Sequence, residues 1–154
     1  MIQRKQSLFL FVSLLLLISL CFISLGSLSG AAGLFDIRFY GLVDVADAEN
    51  PQTLIVLWPL TVLLAVAALL NLLDIFLFSN RPLQMRVCGI NITIVVGVAI
   101  MIFAVNILCA LRLEMDWHFP VASIVPLLAA VLHYLAYRRI GIDEAIVRSL
   151  DRLR

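Results

Sequence analysis

Charged side chains are scarce in this chain: 11 Lys or Arg and 10 Asp or Glu make up 14 % of its 154 residues, where soluble domains carry roughly 25 %. Net charge is only +1, so nothing advertises nucleic acid as a partner. Cysteine occurs three times, at Cys21, Cys88 and Cys109. An odd number with no Cys-x-x-Cys pair excludes a dithiol redox centre, and such cysteines behave as small hydrophobes. The two histidines, His118 and His133, have no further ligand at helical spacing, so neither a haem nor a metal is expected. A Gly-rich phosphate loop, a nucleophile elbow and a His-Glu-x-x-His motif are all missing. The sequence therefore carries no recognisable enzyme site and implies no cofactor.

Apolar residues are abundant instead: 64 % of the chain, with a mean hydropathy of +1.12. A small globule has too much surface for its volume to hide that fraction from water, and disorder needs the opposite composition. Four runs contain no Asp, Glu, Lys or Arg: Leu8 to Leu25, Thr53 to Leu73, Val87 to Leu111 and Phe119 to Tyr137. A helix crossing the hydrocarbon core needs ~20 such residues, and a backbone in lipid must satisfy itself within one helix. The expected fold is an all-α membrane protein, a single membrane domain over residues 1–154. Its four transmembrane helices form an antiparallel up-down-up-down bundle, with spans near 7–26, 53–78, 87–111 and 119–138. An outer loop covers 27–52 and a tail 139–154. The first apolar run exceeds the roughly 7–15 residues of a secretion signal, so it is read as a span.

Basic residues set the orientation. Arg4, Lys5, Arg81, Arg86, Arg138, Arg139, Arg148, Arg152 and Arg154 share one face, against Arg38 and Arg112 on the other. Both termini are expected in the cytoplasm of a bacterium, with the protein multi-pass in the inner membrane. Trp58 and Trp117 fall near the outer ends of their spans, where interfacial aromatics belong.

Polar groups inside spans are costly and are functional candidates for that reason. Asn71, Asp74 and His133 form the candidate intramembrane set. Asp74, close to Arg81 and Arg86, is expected to anchor at the interface, with a proton or ion site as the alternative. In the third span Gly89, Thr93 and Gly97 recur every four residues, a spacing that lets helices approach closely, and this face is expected to be the packing seam. Pro51 and Pro120 suit first-turn positions, whereas Pro59 and Pro126 are expected to kink spans two and four. Around Gly41 two β-like runs either form a hairpin over the bundle or an irregular cap.

In the tail, Gly141 is expected to break the last span and Asp143 to cap a new short cytoplasmic helix. Asp143, Arg148, Asp151 and Arg152 on that helix make the candidate partner surface. The partners expected are the lipid bilayer and either a protein at the cytoplasmic face or a second copy of the chain.

Three stretches carry a resemblance: the opening Met1-Ile2-Gln3-Arg4, the run Asn80-Arg81-Pro82-Leu83-Gln84-Met85-Arg86-Val87-Cys88, and the ending Asp143 to Arg154 with its Arg148-Ser149-Leu150-Asp151-Arg152-Leu153-Arg154. Together they resemble a family of small bacterial integral-membrane proteins described only as a domain of unknown function. Pro82 stands where that pattern has a second basic residue. The resemblance covers the whole chain and implies four spans and cytoplasmic termini, but no activity. The expectation is a non-enzymatic scaffold or accessory subunit, the alternative a small transporter using Asp74, Asn71 and His133.

Overall fold

The computed structural model describes residues 3–30, 33–45 and 52–151. Among these the chain forms four helices, α1 (Gln3–Ser19), α2 (Trp58–Phe76), α3 (Arg81–Leu113) and α4 (Ile124–Asp151), and five strands, β1 (Gly26–Gly30), β2 (Gly33–Arg38), β3 (Gly41–Asp44), β4 (Thr53–Val56) and β5 (Asp116–Trp117). Each helix packs on two others: α1 on α2 and α4, and α3 on α2 and α4. The strands make one antiparallel sheet in the order β4-β3-β2-β1-β5. Three helical segments, Trp58–Phe76, Arg81–Leu113 and Val121–Ile146, are long and apolar enough to cross a membrane, and Gln6–Ser19 is a shorter apolar helix. The protein is thus mostly helical, with a sheet that composition did not announce.

One core joins the two parts. Leu28 of β1, Phe35 and Ile37 of β2 and Leu42 of β3 point inward and pack with Leu17, Leu60, Val98, Ile102 and Ala129 of the helices. The sheet therefore caps the end of the helices where α2 begins and α3 ends. Asn106 fastens it there, donating to the Leu25 carbonyl at 3.3 Å and to the Ile102 carbonyl at 2.8 Å. Gly26 makes that approach feasible, because a Cβ on it would stand 1.7 Å from Asn106 Oδ1. Thr61 of α2 donates to the Phe39 carbonyl in the β2–β3 turn at 2.8 Å. The segment around Gly41 is a hairpin, with Arg38 paired to Gly41 across the Phe39-Tyr40 turn.

The ends of the apolar runs depart from expectation. The first helix stops at Ser19, short of the expected 7–26. The Ser19 hydroxyl bonds back to the Leu16 carbonyl at 2.7 Å, and backbone bonds of the i→i−3 type tighten residues 20–22 into turns, a local competition that ends helices. Leu20 and Leu25 stay buried, but their burial serves the sheet junction. Thr53 to Val56, counted in the second span, is β4. Pro59 consequently lies in the first turn of α2 and Pro126 in the first turn of α4. Neither kinks a helix interior, because a first-turn proline forfeits no intrahelical bond. Pro51 lies outside the described residues.

At the far end α3 begins six residues earlier than expected and runs for 33 residues, ~50 Å at 1.5 Å per residue. Glu114 stops it in the left-handed conformation at φ 50°, a cap that asparagine or glycine fills more often. The expected break at Gly141 does not occur, and α4 continues unbroken to Asp151. A glycine inside a helix costs only ~1 kcal/mol, and Ile140 beside it is fully buried. Tertiary packing outweighs the local preference. There is no separate short C-terminal helix among the described residues.

Candidate functional site

One polar side chain from each helix meets at the centre of the packing. Ser13 (α1), Asn71 (α2), Asn91 (α3) and His133 (α4) are all 0 % exposed. Most of the surrounding core is apolar, so these groups must find their partners within the protein, in side chains or backbone. With its amide oriented to meet complementary groups, Asn91 donates to the Ala67 carbonyl at 3.3 Å. It accepts from the Asn71 backbone N–H at 3.2 Å and from His133 Nε2 at 2.9 Å. Asn71 in turn donates to the Leu10 carbonyl at 3.2 Å and accepts from the Leu14 N–H at 3.0 Å.

That arrangement assigns the proton of a neutral His133 ring to Nε2. Nδ1 then accepts from the Ser13 hydroxyl, 2.8 Å away. A second proton on Nδ1 would meet the Ala129 carbonyl at 3.0 Å, while Ser13 can turn its hydroxyl to the same carbonyl at 3.3 Å. Each ring nitrogen therefore has a hydrogen-bond partner whether or not it carries a proton.

One turn along α2 from Asn71, Asp74 is also fully buried, yet among the described residues neither carboxylate oxygen has a hydrogen-bond partner. Its surroundings are Gln84, whose amide donates to the Asp74 main-chain carbonyl at 2.8 Å, and Cys88, whose thiol donates to the His133 carbonyl at 3.4 Å. The expected anchoring to Arg81 or Arg86 is absent. Arg81 instead faces the Asp143 main-chain carbonyl at 3.5 Å, and Asp74 points inward. A bare buried carboxylate is expensive, so this position calls for a proton or a cation.

The other expected residues fall elsewhere. Thr93 is exposed, Gly89 and Gly97 are partly exposed, and a Cβ on either glycine would meet its nearest neighbour only at 4.0 or 3.9 Å. The packing seam of α3 is instead the adjacent face of Cys88, Asn91, Val95, Val98 and Ile102. Asp143 does not cap a helix. Its carboxylate accepts from the Gln6 amide and so joins α4 to the start of α1. The side chains of Arg148, Asp151 and Arg152 lie outside what the structure describes. Among the described residues no three His, Cys, Asp or Glu gather to hold a metal. Sequence reading overlooked Ser13, one of three serines in the first apolar run with Ser19 and Ser24, and Gln84. A hydroxyl inside a charge-free run was the available signal for Ser13, shared with the other two serines.

Three helical segments long and apolar enough to cross a membrane are compatible with membrane association. The chain matches the family model described as "Domain of unknown function (DUF4293)" over residues 2–153, and it belongs to that family. No curated protein matches it.

Proposed function

We propose that the protein is a four-span component of the bacterial inner membrane, both termini cytoplasmic and the sheet outside, acting as a non-enzymatic scaffold or accessory subunit. The observation that carries this reading is the closed network of Ser13, Asn71, Asn91 and His133. Its members spend their hydrogen bonds on each other and on the backbone of neighbouring helices, which is the behaviour of intramembrane glue. Large apolar side chains such as Phe11, Leu69, Ile100 and Leu128 are at least half exposed on the four helices, a girdle suited to lipid. The nine-to-two split of basic residues supports the orientation. The α1 helix is ~26 Å long at 1.5 Å per residue, and the apolar turn after it, with Phe22 and Ile23 exposed, would extend the lipid-facing length. Two experiments test the reading. A reporter fused after Arg154 should be active only in the cytoplasm, and periplasmic activity would end the topology. Pull-down from native membranes in mild detergent should return a stable protein partner or a second copy.

Asp74 favours a second reading, a small transporter or permeation unit using Asp74, Asn71 and His133. Its unpartnered carboxylate lies one helical turn from a histidine cage that accommodates an added proton. Proteoliposomes holding the purified chain should then show proton or cation flux that Asp74→Asn abolishes. Equal flux in empty vesicles would remove this reading.

A further inference from the structure

A groove of about 540 Å³ runs between α3 and α4 near the far end from the sheet, lined among others by Met85, Arg86, Gly89, Thr93, Tyr134 and Tyr137. It contains the Gly89 and Thr93 positions that helix packing leaves unused. Gly89 keeps its floor open: a Cβ there would meet only the edge of Tyr137, at 4.0 Å. The Thr93 hydroxyl is turned back to the Gly89 carbonyl at 3.5 Å, and the residue is exposed. Tyr134 and Tyr137, three residues apart, share the α4 wall. Arg86 is exposed at the mouth, and among the described residues it makes no ion pair. From Arg86 to Thr93 the groove follows α3 for ~10 Å.

Apolar walls, a positive mouth and a tyrosine flank reproduce, on one side of a helix pair, the profile of a lipid from headgroup to chain. We propose that this groove binds one anionic phospholipid of the cytoplasmic leaflet, its phosphate on Arg86 and an acyl chain laid over Gly89 toward Thr93. The assignment rests on the membrane reading above, which puts Arg86 at the cytoplasmic surface. Basic recesses between spans on that side are where anionic headgroups collect. Charge selects this occupant: an uncompensated guanidinium gains from a phosphodiester with net negative charge, and a zwitterionic headgroup offers it less.

The test uses the full chain, delipidated in mild detergent and titrated with phosphatidylglycerol or with phosphatidylcholine of the same chain length, with bound lipid counted by native mass spectrometry. One phosphatidylglycerol should be retained about fivefold more tightly than phosphatidylcholine, the advantage of one interfacial basic residue at ~1 kcal/mol. Arg86→Gln should erase that preference, and Gly89→Leu should weaken both lipids by filling the floor. Should Gly89→Leu fail to fold, Thr93→Phe on the exposed flank fills the same groove. Equal retention of the two lipids by the wild type, or retention unchanged by both filling variants, overturns the proposal. So does displacement of the lipid by inorganic phosphate, or a filling variant that splits a dimer while lipid binding persists. Alkaline extraction of the same membranes separates the two levels. A chain that washes out sinks the membrane reading itself, whereas a chain that stays without lipid preference sinks only the lipid site.

Discussion

Ser13 and His133 are 120 positions apart in the chain, and the hydroxyl of one lies 2.8 Å from Nδ1 of the other. The contact joins α1 directly to α4, while the opposite ring nitrogen reaches Asn91 of α3 at 2.9 Å. His133 is therefore the hub through which three helices are held in register, with Asn71 of α2 bonded to Asn91 through its backbone.

Replacing the hub should cost more than replacing a spoke. Ser13→Ala is expected to destabilise the protein by about 1 kcal/mol, the upper part of the range for one interhelical hydrogen bond in a membrane. His133→Ala should cost about 2–4 kcal/mol, because it leaves Asn91 and Ser13 unpaired and opens a cavity. Reversible unfolding in mixed micelles measures both. In the double variant the two effects should fall short of additivity by ~0.5 kcal/mol or more.

Asp74→Asn should be neutral or stabilising. The amide has the shape of the carboxylate and cannot bear its charge, and among the described residues no hydrogen bond to either oxygen exists to be lost. The thermal midpoint in detergent at neutral pH checks this. A fall of several degrees would reveal a partner for the carboxylate that the membrane supplies.

Gly26→Ala should detach the sheet from α3. The added methyl falls on Asn106 Oδ1 at 1.7 Å, which forces either β1 or the amide to move, at a cost of about 1–3 kcal/mol. Asn106→Ala in the same chain should recover part of the loss. Hydrogen exchange at the β1 amides, read separately from the helix amides, shows whether the sheet alone loosens.

Truncation should sort the end of α4 by contact. Ending the chain after Ile142 removes Asp143 and with it the bond from Gln6, a loss of about 1.5–3 kcal/mol for a hydrogen bond to a charged group. Ending it after Ile146 keeps that bond and should leave stability unchanged. Thermal unfolding of the two shortened chains compares them, and equal midpoints would show that Asp143 contributes nothing.

How much of this could be read from residues alone follows from what apolarity encodes. Val87 to Leu111 lies wholly inside α3, because a long uninterrupted run has few other outcomes. The run's ends are less informative. Leu25 and Ile55 are as apolar as any span residue, yet the core they enter lies between the helices and a sheet, and hydropathy does not name the neighbour. Pro59 and Gly26 carried the missing boundary information, since a first-turn proline starts a helix and a glycine before a polar side chain permits close approach. The Gly89, Thr93 and Gly97 spacing marks a face of small residues, yet within this chain α3 packs through the adjacent face, because small residues permit packing without compelling it. Asn91 belongs to the face that does pack, two positions from Thr93. Asp74 and His133 could be placed at corresponding depth, but Ser13 needed the rotation of α1, and a helix carrying Ser7, Ser13 and Ser19 does not announce which of them faces the core.

The direct packing of α1 on α4 has a consequence for biogenesis. Ribosomes deliver α1 first and α4 last, so the earliest helix waits for the latest before its hydroxyl finds His133 and its Gln6 finds Asp143. A nascent chain with three helices formed still presents Ser13 and Asn91 without their common partner. Closure is then a single late event, coupled to the emergence of residues 124–151.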